Sequence, residues 1–442
     1  MRDLMVMCLL PILLILSVRN TFSAYLMWGW SGLIALSTYL YGFMAGVPYV
    51  QTFAIIALAL ILLGKDPEKI AFKSNRTIII MLIFAMHIVL SATFAAPGLA
   101  RNWEMCSNLL KTILYCLLMP MVVTSRLRIH AMVVMIALAI SFNAGLDGLK
   151  FISSAGAHTA RGNSKLGDNN HYAMVIIMVL PLLLYLYQYT SKKLIRWGFI
   201  AVLVVSSLAV VATASRGGFV GMMVLASWIV LKSRRKLQGF IVIALVAALI
   251  IQMAPESWSN RMNTIEGASD DASFMGRVTA WKRASAIALE NPVFGAGFHA
   301  GQAPSLFQEF RHKSGLLGFI ETPDINYPAA SHSIYFEVMG DLGFLGLFIF
   351  LALIANAFIT RQEIKKLVKH GGCASDWAVD IADMLAGALI VYLVSGALLS
   401  AAYFDLPYIF IMLMEVVKLQ LVRAQNSKVN AVDVFSPSRS VT

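Results

Sequence analysis

An arginine between two apolar runs, a second arginine one turn before a tryptophan, and a histidine between two serines are the residues best placed to do chemistry. Arg216 stands in VVATASRGGFVGMMVL (210–225), and Arg277 in GRVTAWKRASAIALE (276–290), where Trp281 follows it. His332 lies in PAASHSIYFEVMGDLGFLG (328–346), directly behind Ser331. A guanidinium grips phosphate-like anions through a planar fork of donors. An imidazole titrates near neutral pH and can take a proton from a hydroxyl. Together the three would neutralise an anion and deprotonate an alcohol, provided the fold brings them to one pocket.

Each has a plainer reading. Arg216 would cost about 2.5–3.5 kcal/mol in mid-membrane unless it faced a cavity or snorkelled to the interface. Gly217, Gly218 and Gly221 favour a close approach of backbone or ligand, and a helix starting at Gly218 would aim free N–H groups at the same spot. Arg277 falls in the first turn of a helix over 276–290, a poor place for a cation unless an anion offsets it. Otherwise it is a solvated loop arginine, and Lys282 and Arg283 read as lipid-headgroup contacts. His332 reads as first-turn of a returning span, either functional or an interfacial neighbour of Tyr335. Glu337 and Asp341 would orient it or pair with basic neighbours. A polar stretch, RGNSKLGDNNHYAMV, adds Arg161, Lys165, Asp168, Asn169, Asn170 and His171, whose amides suit sugars or phosphates. There is no P-loop, HExxH, GxSxG or Asp-x-Asp, so neither a metal nor a cofactor is implied.

The elements that must position these residues are apolar helices. Of 442 residues, 59% are hydrophobic and 13% charged, with mean hydropathy +0.75. A globular domain carries about 25% charge. Apolar runs recur at 4–18, 22–45 (rich in Trp and Tyr), 50–64, 77–95, 106–123, 130–150, 171–190, 197–214, 218–231, 238–254, 333–358, 383–403 and 406–422. A bilayer requires backbone hydrogen bonds to close within each span, so the expected fold is an all-α polytopic membrane protein. Twelve crossings are favoured, because Tyr25, Trp28, Trp30, Tyr39 and Tyr41 suit an interfacial segment. The N-terminal apolar run lacks a small-x-small cleavage site and reads as a retained span.

The net charge of +12 is explained by topology. Six short connectors, 65–76, 126–130, 192–196, 232–236, 361–370 and 418–428, hold 20 of the 35 basic residues, on every second connector. That marks the cytoplasmic face and argues against nucleic acid. The four cysteines have no metal-ligand spacing. The resulting organisation is a transmembrane bundle over 1–254, a long non-cytoplasmic loop over 255–332, further spans over 333–423, and a disordered cytoplasmic tail over 424–442. The helix at 276–290, with Val278, Trp281, Ala284, Ile287 and Ala288 on one side, is expected to lie along the membrane surface and to end at Asn291-Pro292.

SRGG (215–218), GRxxxW…NPxxGxGF (276–298) and SHSxYFExxGDLGxLG (331–346), in this order around one long loop, resemble the O-antigen ligase family, which includes O-antigen polymerases and bacterial O-oligosaccharyltransferases. MRDL and DNNHYA resemble a branch described as O-glycosylation ligases. The resemblance implies a helical bundle in the bacterial inner membrane with its site on the periplasmic side, the side of the long loop 255–332. It implies an inverting, metal-independent transfer of a glycan from undecaprenyl diphosphate to a hydroxyl. Lipid A-core is the favoured acceptor; a growing glycan or a protein hydroxyl is the alternative. Carried over by motif, Arg216 and Arg277 would bind the diphosphate and His332 would act as base. Arg161, Asp168, Asn169, Asn170, Trp281 and Ser331 are candidate substrate contacts. A non-enzymatic transporter of lipid-linked glycans is a reading of another class, and formation of a covalent glycolipid separates the two.

Overall fold

A computed structural model describes residues 2–64, 75–162, 168–232, 272–313, 315–370 and 375–434. The elements are α1 (Arg2–Arg19), α2 (Thr21–Ile34), α3 (Gly42–Ala45), α4 (Tyr49–Leu62), α5 (Arg76–Thr93), α6 (Asn102–Val122), α7 (Arg126–Ser153), α8 (Asn169–Tyr189), α9 (Lys193–Ala212), α10 (Arg216–Lys232), α11 (Ala272–Glu290), α12 (Pro304–Phe310), α13 (Ile334–His370), α14 (Asp376–Gly396) and α15 (Asp405–Val434). No strand occurs among the described residues. Twelve of the thirteen apolar runs coincide with helices; the run at 238–254 lies outside the described residues, as do Lys165 and 255–271. Among the described residues, seven helices, α5 to α9, α13 and α14, are long and apolar enough to cross a membrane.

Helix starts follow from capping residues in the connectors. Asn20, Asn75, Ser125 and Asp168 each accept a backbone N–H from the first turn of α2, α5, α7 and α8. Once started, the helices sort by burial. In α8, 78% of the apolar window is buried, against 22% in α9, so α8 is the central post and α9 a peripheral one. Small residues let α10 approach closely: a Cβ on Gly218 would lie 2.8 Å from Cβ of Ala173 in α8, and one on Gly221 2.7 Å from Oγ of Ser395 in α14.

Three expectations are corrected. Tyr25 and Trp28 are core residues: Tyr25 is fully buried and stacked on Tyr115 at 4.3 Å. The loop helix starts at Ala272, four residues earlier than its sequence pattern suggested, and packs along the first half of α13 with Arg283, Ser285, Ile287 and Ala288 buried. The last helix runs on to Val434, past the boundary at 423, because Gln425 Nε2 donates to the Leu367 carbonyl at 3.0 Å and ties the polar extension to α13.

The loop and α13 interlock at a break. Gly343 has φ 74°, which opens α13 and frees the carbonyls before it. The Asn-Pro-containing segment fills that gap with its own backbone. Ala296 N donates to Gly340 O at 3.1 Å, Gly297 N to Asp341 O at 2.9 Å, and Phe344 N to Pro292 O at 2.8 Å. A helix interruption is tolerated in such a protein when neighbouring groups re-satisfy the freed backbone, and here they do. The two glycine-containing motifs, NPxxGxGF and GDLGxLG, are therefore halves of one joint.

Candidate active site

His332 precedes the helix, in a left-handed conformation (φ 45°), and α13 begins at Ile334. The expectation of a first-turn position was wrong because Ser333, whose carbonyl accepts Glu337 N at 2.8 Å, opens the helix instead. A β-carbon-bearing residue in this region costs of order 1–3 kcal/mol and persists where its surroundings over-determine it. Two contacts do so. His332 N donates to Ser400 Oγ at 2.9 Å, and Trp281 Nε1 donates to Ser331 O at 2.7 Å while the indole stacks on Phe336 at 5.2 Å. Ser331 is buried. Trp281 and Ser331, read from sequence as substrate contacts, are thus bonded to each other and pin the histidine.

Burial pushes the His332 imidazole below its ordinary pKa, the Arg277 charge pushes it further down, and Asp168 opposes both. Arg277 lies in the second turn of α11, not the first, so the helix-dipole argument against a cation there weakens. Its half-buried side chain is nevertheless close enough for its charge to register at His332.

Arg216 is the first residue of α10, two positions earlier than its glycines suggested. Ser215 caps the helix by accepting Gly218 N at 2.9 Å and donates to Asn170 Oδ1 at 2.6 Å. Asn169 Nδ2 donates to Thr213 O at 2.8 Å, and Ala214 between them has φ 48°. One group of each amide, Asn169 Nδ2 and Asn170 Oδ1, thus clips the start of α8 to the turn before Arg216. Gly218 and Gly221 serve helix packing, and only Gly217 faces open space apart from Ser215 Oγ at 3.9 Å. Asp168 caps α8 through His171 N at 2.7 Å, so one short segment both holds the Arg216 turn and contributes a charge felt at His332. Arg161 is exposed at the margin, one residue past Ala160, whose N–H donates to Ala212 O at 2.9 Å.

Glu337 and Asp341 neither orient His332 nor meet basic side chains. Glu337 accepts Ala402 N at 3.0 Å. Asp341 accepts His299 N and Ala300 N, each at 3.1 Å, and the Tyr403 hydroxyl at 3.1 Å. These carboxylates fasten the loops around 299 and 402 to α13.

Beside the histidine loop is a cavity of about 650 Å³ that the sequence reading missed. Ser400, the His332 N–H acceptor, lines it, together with His171, His299, Arg101 and Lys111, and its apolar wall includes Trp28 and Leu33. His171 Nε2 has no hydrogen-bond partner among the described residues. Burial and the nearby Arg101 hold His299 low, with Gln302 and Glu104 opposing. The signal for Arg101 and Lys111 was the one that exposed Arg216: basic residues off the basic face. Ser400 carried no signal, since a lone serine after a span is unremarkable. Among the described residues, no three His, Cys, Asp or Glu side chains gather as a metal site.

Residues 201–351 match the O-Antigen ligase family (Wzy_C), and residues 1–191 match a family of unknown function, DUF5935. No curated protein matches the chain. The first region holds Arg216, Arg277 and His332; the second holds Arg101, Lys111 and the 168–171 clip.

Proposed function

We propose, from a chain that carries an O-antigen ligase family domain over residues 201–351, that this protein is a multi-pass inner-membrane glycosyltransferase acting at the periplasmic face. The family match and the apolar helices give the coarse part: a membrane-embedded glycosyltransferase of the ligase or polymerase type, with a lipid-linked glycan and a lipid acceptor in general. The finer reading is transfer of an O-antigen glycan from undecaprenyl diphosphate to a sugar hydroxyl of lipid A-core.

In this reading the acceptor oxygen attacks the anomeric carbon from the side opposite the diphosphate. The bond from that carbon to the phosphate oxygen breaks, and undecaprenyl diphosphate leaves with the electron pair. The hydroxyl proton passes to His332. A base for this step must be neutral at the working pH, and burial with a cationic neighbour favours the neutral imidazole. Arg216 and Arg277 would neutralise the charge that develops on the leaving group, where fixed cations are worth most. The cavity beside Ser400 has the size of an ordinary small-ligand pocket and would take sugar rings.

The single observation that supports this reading most is a strained histidine, held from two sides and kept low in pKa beside an arginine, inside the ligase-family region. The test uses purified protein with lipid-linked donor and lipid A-core. A covalent glycolipid is expected from the wild type, and a drop of two orders of magnitude or more from His332→Ala and Arg216→Ala. Unchanged transfer in either variant would sink the assignment. Donor movement across the membrane without any covalent product would replace it with transport.

A further inference from the structure

Arg283 is a buried charge that the site around His332 does not use. It sits on α11 with 3% of its surface exposed, and Nε, Nη1 and Nη2 have no hydrogen-bond partner among the described residues. Its guanidinium carbon lies 4.9 Å from the centre of the Phe307 ring, a cation–π contact that supplies no hydrogen-bond acceptor for its donors. Neighbouring cations are all committed. Arg311 forks onto Asp324 at 3.0 and 2.6 Å, Lys313 pairs with Glu290, and Lys282 donates to the Ile320 carbonyl and to Thr322. The carboxylates of Asp324 and Glu290 are thereby taken.

Arginine stays charged in proteins. A buried charge without a counter-ion is heavily penalised, and buried donors as a rule are bonded. Arg283 borders a half-open cavity of about 410 Å³ lined by α11, α12 and the 321–325 segment, where Lys282, Arg311, His312 and Lys313 also face, against the carboxylates of Glu321 and Asp324. Arg277 and Arg283 are six residues apart, roughly 9 Å along the helix and about 240° around it, so they serve different faces of α11.

We propose that this cavity is a binding site for a phosphate monoester, with the Arg283 fork as its inner anchor. The volume exceeds that of a bare phosphate and falls within the range of small-ligand sites, so the phosphate carries a sugar-sized substituent. That chemistry has two sources: a soluble sugar phosphate, or the headgroup of a phosphate-bearing lipid. The site stands independently of the transfer reading, since none of its residues belongs to the His332 cluster.

The test is the thermal midpoint of the full-length protein in detergent, with sodium phosphate or glucose 6-phosphate against sodium chloride at equal ionic strength. A second arm compares nanodiscs of phosphatidylcholine with and without phosphatidic acid. The wild type is expected to gain several degrees, saturably, from at least one phosphate source, and Arg283→Met to gain none. Without phosphate, Arg283→Met should be at least as stable as the wild type, because an unpaired charge has been removed. If that variant does not fold, Arg283→Lys should fold and need at least five-fold more phosphate for the same gain, having lost the fork. A gain with glucose 6-phosphate assigns the soluble source, and a gain confined to phosphatidic acid nanodiscs assigns the lipid. Equal gains in the wild type and the folded variant, or no gain in the wild type from any source, overturn the proposal.

Discussion

Trp281→Phe isolates the device that positions His332. Phenylalanine keeps a ring to face Phe336, 5.2 Å from the indole in the wild type, and deletes the donor to Ser331 O at 2.7 Å together with the indole's second ring. The carbonyl left behind belongs to a buried residue, and an orphaned buried acceptor costs about 1–3 kcal/mol. The left-handed conformation of His332 stores strain of the same order, about 1–3 kcal/mol, and one of its two restraints would be gone. Since each ~1.4 kcal/mol is a factor of ten in a population, the competent arrangement should fall by roughly 5- to 100-fold. The assay is single-turnover transfer with saturating lipid-linked donor, alongside the thermal midpoint. The rate should fall by that factor while donor KM changes little, because Arg216 and Arg277 are untouched. Removing the second restraint by Ser400→Ala should give a double variant whose loss departs from the product of the two single losses, as expected for contacts that share one loop. A Trp281→Phe enzyme with wild-type turnover and an unchanged midpoint would refute the idea that the indole N–H holds the base in place.

The pH profile follows from the direction of the His332 shift. Its folded pKa lies below the ordinary value, so the base is neutral, and transfer active, above a folded pKa that is itself under the unperturbed one. Arg277→Gln removes a depressing charge and should move the acid limb of kcat to higher pH; Asp168→Asn should move it lower. For stability, the unfolded chain takes up the His332 proton before the folded chain does. The histidine therefore lowers stability only as pH falls through about 6.5 and on towards the folded value, and has no such effect above that range. Gly343→Ala places a β-carbon at φ 74° and 2.7 Å from the Pro292 carbonyl, so it should cost more than about 2 kcal/mol and sharply reduce the yield of monodisperse protein. Gly217→Ala meets only open space, so its thermal midpoint should stay or rise slightly; a loss of transfer in that stable variant would show that substrate approaches the backbone there.

The helical class was legible because a bilayer-sized apolar run has few other uses, whereas the caps Asn75, Ser125 and Asp168, which set the starts of α5, α7 and α8, lie ahead of the apolar runs at 77, 130 and 171. The same logic failed for Tyr25 and Trp28. An aromatic suits the headgroup region and the core equally, and only the stack on Tyr115, some ninety residues away, decides between them. At the candidate site, residue types marked the polar segments, but not the internal partners that their side chains find. Asn169, Asn170, Trp281, Glu337 and Asp341 have the chemistry to bind a sugar, and each also bonds a carbonyl, hydroxyl or N–H group of a neighbouring loop. No local pattern encodes such a partner, because it is set by which loops the helices bring together.

Those internal bonds have a consequence for how the site is built. The candidate catalytic residues stand near helix starts: Arg216 at the start of α10, Arg277 in the second turn of α11, His332 just before α13. Helix ends are the softest parts of a bundle, and an anion's charge is best stabilised by groups that need not reorganise. Side chains from elsewhere therefore clamp these breaks. Asn169 and Asn170 clamp the turn before Arg216, Trp281 and Ser400 clamp His332, and Asp341 clamps the 299–300 turn beside the cavity. The clamps come from both matched regions and from beyond them: Asn170 from the 1–191 region, Trp281 and Asp341 from the 201–351 region, Ser400 from neither. A segment limited to 201–351 would keep Arg216, Arg277 and His332 and lose Asn169, Asn170 and Ser400, three of the four side chains that clamp the breaks at Arg216 and His332, so the transfer reading requires these flanking regions as well.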